Sequence, residues 1–181
     1  MQSELDARAL KARYSSKWRL AARRELFVFN IINLLLDGTG CYALFTGVGS
    51  GSSEYLEKSY DNPLNAYDFT IICRGKVVAF LDVTGYRSYS KGKGDSKPCV
   101  LMPKLWKAEK LGIPLEKLWF LHFVDSRISL RVIQAWEIAQ HPKAEKRHLV
   151  RGEHPYLCLD QRYWHDPSRL RKWLAGVADD I

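Results

Sequence analysis

Cysteine is scarce in this chain of 181 residues. Cys41, Cys73, Cys99 and Cys158 stand apart with no Cys-x-x-Cys pair, which argues against a zinc knuckle and against the disulfide framework of a small secreted module. They read as reduced thiols in a cytosol-like, cytoplasmic setting. Long hydrophobic runs are missing too. The longest, Leu26 to Leu36, is broken by Asn30 and Asn33 and falls well short of the roughly 20 residues that cross a bilayer, so no membrane span is expected. Nothing ahead of it reads as a secretory signal. The five histidines show no paired ligand spacing, and no internal repeat or low-complexity tract is present. Acid is in deficit: 20 Asp and Glu face 28 Lys and Arg, a net charge of +8, which favours a polyanionic partner such as nucleic acid or an anionic membrane surface.

The length suits one domain over residues 1–181 that buries its own core. Residues 1–15 are charged and lack an apolar stripe, so they read as an arm or as the first turns of a longer helix. Beyond Ser16 the pattern sharpens: Leu20, Phe27, Ile31, Leu34 and Leu35 recur at helical spacing, with Phe29, Ile32 and Leu36 widening the apolar face. A short strand, Cys41 to Phe45, leads into the glycine and serine loop from Thr46 to Ser53. Two β-rich runs follow, Tyr67 to Cys73 and Lys76 to Thr84, joined at Arg74-Gly75 as a tight hairpin. After a polar stretch, Leu101, Leu105, Ala108 and Leu111 predict a helix with Pro103 in its first turn and Gly112 at its end. Leu118 to Val124 and Ile128 to Trp136 read as two further strands, and Pro167 to Val177 as a closing helix capped by Asp166. This order predicts an α/β sandwich with a central mixed sheet.

Three acids stand out. Antiparallel pairing across Arg74-Gly75 brings Asp68, at the start of the first hairpin strand, to the same end of the sheet as Asp82, near the end of the second. Both lie among apolar residues, where an ionised carboxylate needs a cation. A divalent metal such as Mg2+ is the economical candidate, because it binds a few carboxylate oxygens, keeps waters and completes its shell with phosphate oxygens. Glu25 continues the helical row Phe29, Ile32 and Leu36, which places a third carboxylate at one end of a buried helix face. A lone acid at a strand end is more often solvated or paired with an arginine; two on facing strands plus a helical acid favour a site.

At these residues the chain resembles the PD-(D/E)XK, or restriction-endonuclease-like, nuclease superfamily, and within it the archaeal Holliday-junction resolvases. The resemblance spans roughly residues 20 to 135 and is carried by Arg24-Glu25-Leu26, the loop Gly49-Ser50-Gly51-Ser52-Ser53, Tyr67-Asp68-Phe69 and Leu81-Asp82-Val83-Thr84. It implies an α/β/α sandwich in which Glu25, Asp68 and Asp82 bind Mg2+, with Mn2+ as a substitute, and in which Ser52 or Ser53 lies beside the active site. It also implies cleavage of branched DNA by a homodimer, since a junction with near two-fold symmetry presents two strands to cut. One departure stands at Thr84, where the motif carries lysine. The substitutes are Lys104 and Lys107 on the following helix or Lys91 and Lys93 before it, with Lys104 first choice.

Basic residues flank the acids: Arg8, Lys11, Arg13, Lys17, Arg19, Arg23 and Arg24 on one side, Arg87, Lys91, Lys93 and Lys97 on the other. Contacts to DNA phosphates from Arg23, Arg24, Arg87, Lys91 and Lys93 are the functional expectation, solvated faces the plain one. Tyr86 and Tyr89 are candidates for stacking on exposed bases. His122, inside Trp119-Phe120-Leu121-His122-Phe123, reads as a core residue, and Trp106, Trp119, Trp136, Trp164 and Trp173 as core or interface, with Trp119 to Trp136 a candidate dimer surface. Two other functions fit the same residues. One is a sequence-specific restriction or homing endonuclease; the other is a non-catalytic DNA-binding module with a degenerate site, which Thr84 favours.

Overall fold

The computed structural model describes residues 21–46, 63–86, 97–148 and 155–179. Residues 21–36 are helical (α1), and its buried row Val28, Ile32 and Leu36 lies flat on the sheet. Asn33 is no interruption of that helix: it donates to the Phe29 carbonyl at 3.2 Å and accepts the Ala43 N–H at 3.0 Å, tying α1 to the first strand. The strands are β1 (Cys41–Phe45), β2 (Phe69–Cys73), β3 (Lys76–Tyr86), β4 (Cys99–Leu101), β5 (Leu118–Val124), β6 (Ser129–Gln134), β7 (Glu145–His148) and β8 (Pro155–Cys158). The remaining α-helices are α2 (Met102–Lys110), α3 (Ala135–Gln140) and α4 (Ser168–Asp179).

Five strands form the central sheet in the order β1-β2-β3-β5-β6. Pairing is antiparallel except between β3 and β5, which run parallel and are joined by the crossover through α2, as parallel neighbours require. The sheet is mixed, as expected. The β2–β3 hairpin turns at Arg74 and Gly75, both with positive φ (48° and 78°), the pair of left-handed residues that a two-residue turn matched to strand twist demands.

Each sheet face carries its own apolar layer. On one, Val28, Ile32 and Leu36 of α1 and Leu170, Leu174 and Ala178 of α4 pack on Ile71, Leu81, Trp119 and Leu121. On the other, Leu105 and Ala108 of α2 and Ala135 and Ile138 of α3 pack on Phe80, Leu118, Phe120 and Ile133. Helices on both faces of a mixed sheet make the α/β/α sandwich.

Several elements differ from the sequence reading. The strand expected to reach Trp136 ends at Gln134, which opens α3 through a capping box with Glu137. A second, three-stranded antiparallel sheet, β4-β8-β7, was not foreseen; it packs on the α2 side through Val100 and Leu157. The cysteines are not thiols. Cys41 pairs with Cys73 and Cys99 with Cys158 in disulfides, because the β1–β2 and β4–β8 registers set each pair directly opposite one another. The cytosol-like reading rested on free thiols and loses that footing; disulfides persist in oxidising compartments and inside hyperthermophilic archaea. Within Trp119 to Trp136 every residue of β5 is buried, and the exposed apolar residue is Ile128 in the turn that follows it. Trp106, read as core or interface, is half exposed on α2, which leaves the interface reading. Among the described residues no helix is long and apolar enough to cross a membrane.

Candidate active site

β2 and β3 pair with Phe69 opposite Leu81, so Asp68 stands one step beyond the last paired residue and faces Asp82. Phe69, Leu81 and Val83 point into the α1 layer, which turns Asp82 and Thr84 to the α2 face by strand alternation. The Asp68 Oδ2 accepts the Val83 N–H at 2.7 Å, fixing the carboxylate against the backbone of β3. Asp82 is 7 % exposed and Glu25 8 %, so both carboxylates have left bulk water.

Lys104 closes this acidic end. It sits in the first turn of α2, and its Nζ donates to Asp82 Oδ1 at 2.6 Å. Tyr67 builds the seat for it: the phenol donates to the Lys104 carbonyl at 2.8 Å, and the Lys104 ammonium lies 5.9 Å from the centre of the Tyr67 ring. Burial, then Asp82, push the Tyr67 phenol up, while Lys104 opposes, so the hydroxyl keeps its proton as a donor. Tyr67 was not singled out by sequence. Its signal was an aromatic immediately before a strand-end aspartate.

The electrostatics of the pocket centre on Asp68. Burial above all, then the charge on Asp82, holds its carboxyl well above the usual carboxylate range; Lys104 opposes, Glu25 adds to the rise, and the Val83 N–H again opposes. The fields of Glu25, Asp82 and Lys104 therefore converge on Asp68. Among the described residues no group of three or more acids, histidines or cysteines is arranged to hold a metal ion by itself. Magnesium does not need one, since it is held by one or two carboxylates with waters and substrate phosphates. The Asp68–Asp82 pair fits that mode, and a divalent cation there would offset the burial and the Asp82 charge that raise Asp68.

Other expected residues are placed differently. Thr84 shares the Asp82 face, but its hydroxyl donates to the Cys99 carbonyl at 3.3 Å and so braces β3 against β4. Arg24 grips Asp125 through two bonds, Nε to Oδ1 at 2.9 Å and NH2 to Oδ2 at 2.8 Å, and its NH1 reaches the Gly85 carbonyl at 3.2 Å. The guanidinium thus braces α1 against the ends of β3 and β5. Its neighbour Glu25 is thereby held over the sheet. Gly85 is obligatory here, because a Cβ would stand 2.0 Å from the Phe123 carbonyl oxygen on β5. Arg23 is exposed. Lys107 donates to the Ala66 carbonyl at 3.5 Å, flanking the site. His122 is buried in β5 against Trp164, as read from the sequence. Ser52, Ser53, Arg87, Tyr89, Lys91 and Lys93 lie outside the described residues, as does the side chain of Tyr86.

Fold and acidic sheet end together define an α/β/α sandwich that gathers carboxylates and a lysine at one edge. The same fold is found in a solved nuclease from a fusellovirus, with a TM-score of 0.61 at 22% identity, covering 89% of this chain and 94% of that one. Residues 30–172 match the viral/archaeal nuclease family, and the chain belongs to that family. A relative from Sulfolobus spindle-shape virus 1, itself uncharacterized, is 27% identical over 173 residues. The alignment takes in 89% of this chain and 65% of that relative, so the chain spans about two thirds of the relative's length.

Proposed function

We propose that this protein is a metal-dependent endonuclease that hydrolyses phosphodiester bonds in DNA, selective for branched structures in the manner of the PD-(D/E)XK junction resolvases. The observation that carries the reading is the Lys104 ammonium on Asp82 beside Asp68: it supplies the positive charge that Thr84 cannot. Membership of a nuclease family supports the reaction class.

In this reading Asp68 and Asp82 would hold Mg2+ or Mn2+, with Glu25 as the third carboxylate. The cation would supply Lewis-acid stabilisation of the charge that develops on the scissile phosphate. Lys104, partly open to solvent where Asp82 is enclosed, places its positive charge beside the non-bridging oxygens and the attacking water. Tyr67 fixes the helix turn that carries it, and the Arg24–Asp125 brace keeps Glu25 in place.

Cutting a four-way junction twice requires two copies of the site. The exposed apolar residues Tyr42 and Leu44 on the edge strand β1, and Leu34 on α1, are better suited to such a contact than the buried β5.

The test is cleavage of labelled four-way junction, linear duplex and single-stranded DNA with Mg2+ or Mn2+, comparing the wild type with Asp82→Ala. Junction-selective cutting lost in the variant is the expected result. Cutting of defined duplex sites alone would replace it with a restriction-type enzyme. Binding without cutting of any substrate would leave a DNA-binding protein with a degenerate site, the reading that Thr84 favours.

A further inference from the structure

Away from the acidic end, the second sheet carries a cleft of about 350 Å3 lined by Lys97, Lys143, Glu145, Asp160, Arg162 and Tyr163. Its charges are organised. The Lys97 ammonium and the Arg147 guanidinium both donate to Glu145, and Arg162 donates to Asp160 at 2.9 Å. Those contacts hold both acids below the usual carboxylate range, Asp160 down to about 2, so each acid is neutralised by the cation it orients. Tyr163 provides a platform: the Lys143 ammonium stands 5.6 Å and the Arg162 guanidinium 5.7 Å from its ring centre, with the His141 ring 4.5 Å away. Among the described residues Lys143 has no carboxylate partner. Among the residues lining the cleft three cations stand with two carboxylates, and two of those cations, Lys143 and Arg162, flank the Tyr163 ring.

The cleft adjoins the acidic site along one segment of chain. Thr84, on the Asp82 face, donates to the Cys99 carbonyl, and Lys97 lies two residues before Cys99, at most about 7 Å of extended backbone away. Lys97, which lines the cleft, is thus tied through β4 to the strand that carries Asp82.

We infer that this cleft binds the phosphate backbone of a duplex DNA arm that flanks the cut, with Lys143 and Arg162 as its principal phosphate contacts. The inference takes the identity of the polyanion from the nuclease reading above, but not its chemistry. Sequence-independent recognition of phosphates by fixed cations gives affinity that falls with salt, each contact to B-DNA contributing a slope of about 0.9 in log K against log salt.

The experiment measures anisotropy of a labelled duplex with the full chain in EDTA, where nothing is cut, over a range of salt. The proteins are the wild type, the Lys143→Gln/Arg162→Gln double variant and, as an independent marker of the acidic site, Asp82→Asn. Both Lys143 and Arg162 are exposed, so their loss leaves the core untouched. The expected result is affinity lower by roughly tenfold per lost contact and a slope shallower by about 2, with Asp82→Asn binding at least as well as the wild type. An unchanged slope in the double variant would overturn the cleft while leaving the nuclease reading standing on the Asp82→Asn cleavage assay. Displacement of the duplex by polyglutamate of equal charge as readily as by unlabelled duplex would overturn it too, assigning the cleft to an acidic protein. A wild type that never cuts yet loses binding in the double variant would support the cleft and sink the nuclease.

Discussion

Lys104 and Asp82 meet at 2.6 Å although one belongs to α2 and the other to β3, 22 residues apart. The contact exists because the β3–β5 crossover must return over the sheet, and α2, which makes that crossover, lays its first turn across the end of β3 that carries Asp82.

Lys104→Met removes the ammonium and keeps the length of the side chain. In the proposed reaction it lowers the single-turnover cleavage rate by about 100-fold or more, the usual loss when a preorganised charge at a developing anion is deleted. Junction affinity in EDTA stays within a few-fold of the wild type. A rate within threefold of the wild type would remove Lys104 from the chemistry.

Arg24→Gln tests the brace. The pair is mostly enclosed, with 12% and 23% of the two side chains exposed, so loss of the guanidinium strands Asp125 and leaves the Gly85 carbonyl without that donor. Urea denaturation shows a loss of about 2 kcal/mol. Were Arg24 a phosphate contact, the variant would instead keep its stability and lower the salt slope of DNA binding by about 1.

That arginine also shows where sequence reading ends. Local signals carried the hairpin, because Arg74-Gly75 fixes the turn and the turn fixes the register that sets Asp68 against Asp82. The period of α1 put Glu25 on the buried row. Which of several nearby lysines would replace the one missing at Thr84 depended on how the crossover lies, and only first preference could be given to Lys104. Arg24 meets an acid 101 residues away, a partner invisible to any local pattern. β7, Glu145-Lys146-Arg147-His148, has no apolar alternation to betray a strand, and β4 is three residues long, so the second sheet and its cleft were illegible. The cysteine pairs are separated by 32 and 59 residues and become neighbours only through strand register.

The disulfides have a thermodynamic consequence that depends on those separations. In the chain-entropy account, closing loops of 32 and 59 residues stabilises the fold by up to roughly 4 kcal/mol each. Thiol titration of the denatured protein finds no free thiols without reductant and four after reduction. Reduction lowers the urea midpoint, and Cys99→Ser/Cys158→Ser lowers it more than Cys41→Ser/Cys73→Ser. Four free thiols in the unreduced protein would contradict the pairing.

His122 makes stability depend on pH. Burial, then the nearby Arg24 charge, lowers its pKa from 6.5 to about 4. Between those values the unfolded chain binds the proton and the native chain does not, so this group's contribution is full above pH 6.5 and is lost as pH falls toward 4. The loss is on the order of 3 kcal/mol. Asp68, whose carboxyl is raised, acts in the opposite sense, losing stability as pH rises through its window. Urea melts of the wild type and His122→Gln at pH 7 and pH 4.5 isolate the histidine: the variant loses less stability on acidification. Equal losses in the two proteins would show that His122 carries no such shift.

The departure at Thr84 permits a transplant. Thr84 shares the sheet face of Asp82 two residues away, within reach of a lysine side chain, and its hydroxyl contributes only a bond of 3.3 Å to the Cys99 carbonyl. Restoring the motif lysine there while removing the helical one, in Thr84→Lys/Lys104→Ala, moves the ammonium without changing the charge of the site. Cleavage falls about 100-fold in Lys104→Ala and recovers at least about tenfold in the double variant, if what the chemistry needs is positive charge beside Asp82. Thr84→Lys alone leaves the rate within a few-fold of the wild type, since Lys104 already meets Asp82. Failure of the double variant to recover, with its melting temperature unchanged from Lys104→Ala, would mean that the ammonium must approach from α2, over the Tyr67 ring, and that the helix determines the geometry of the reaction.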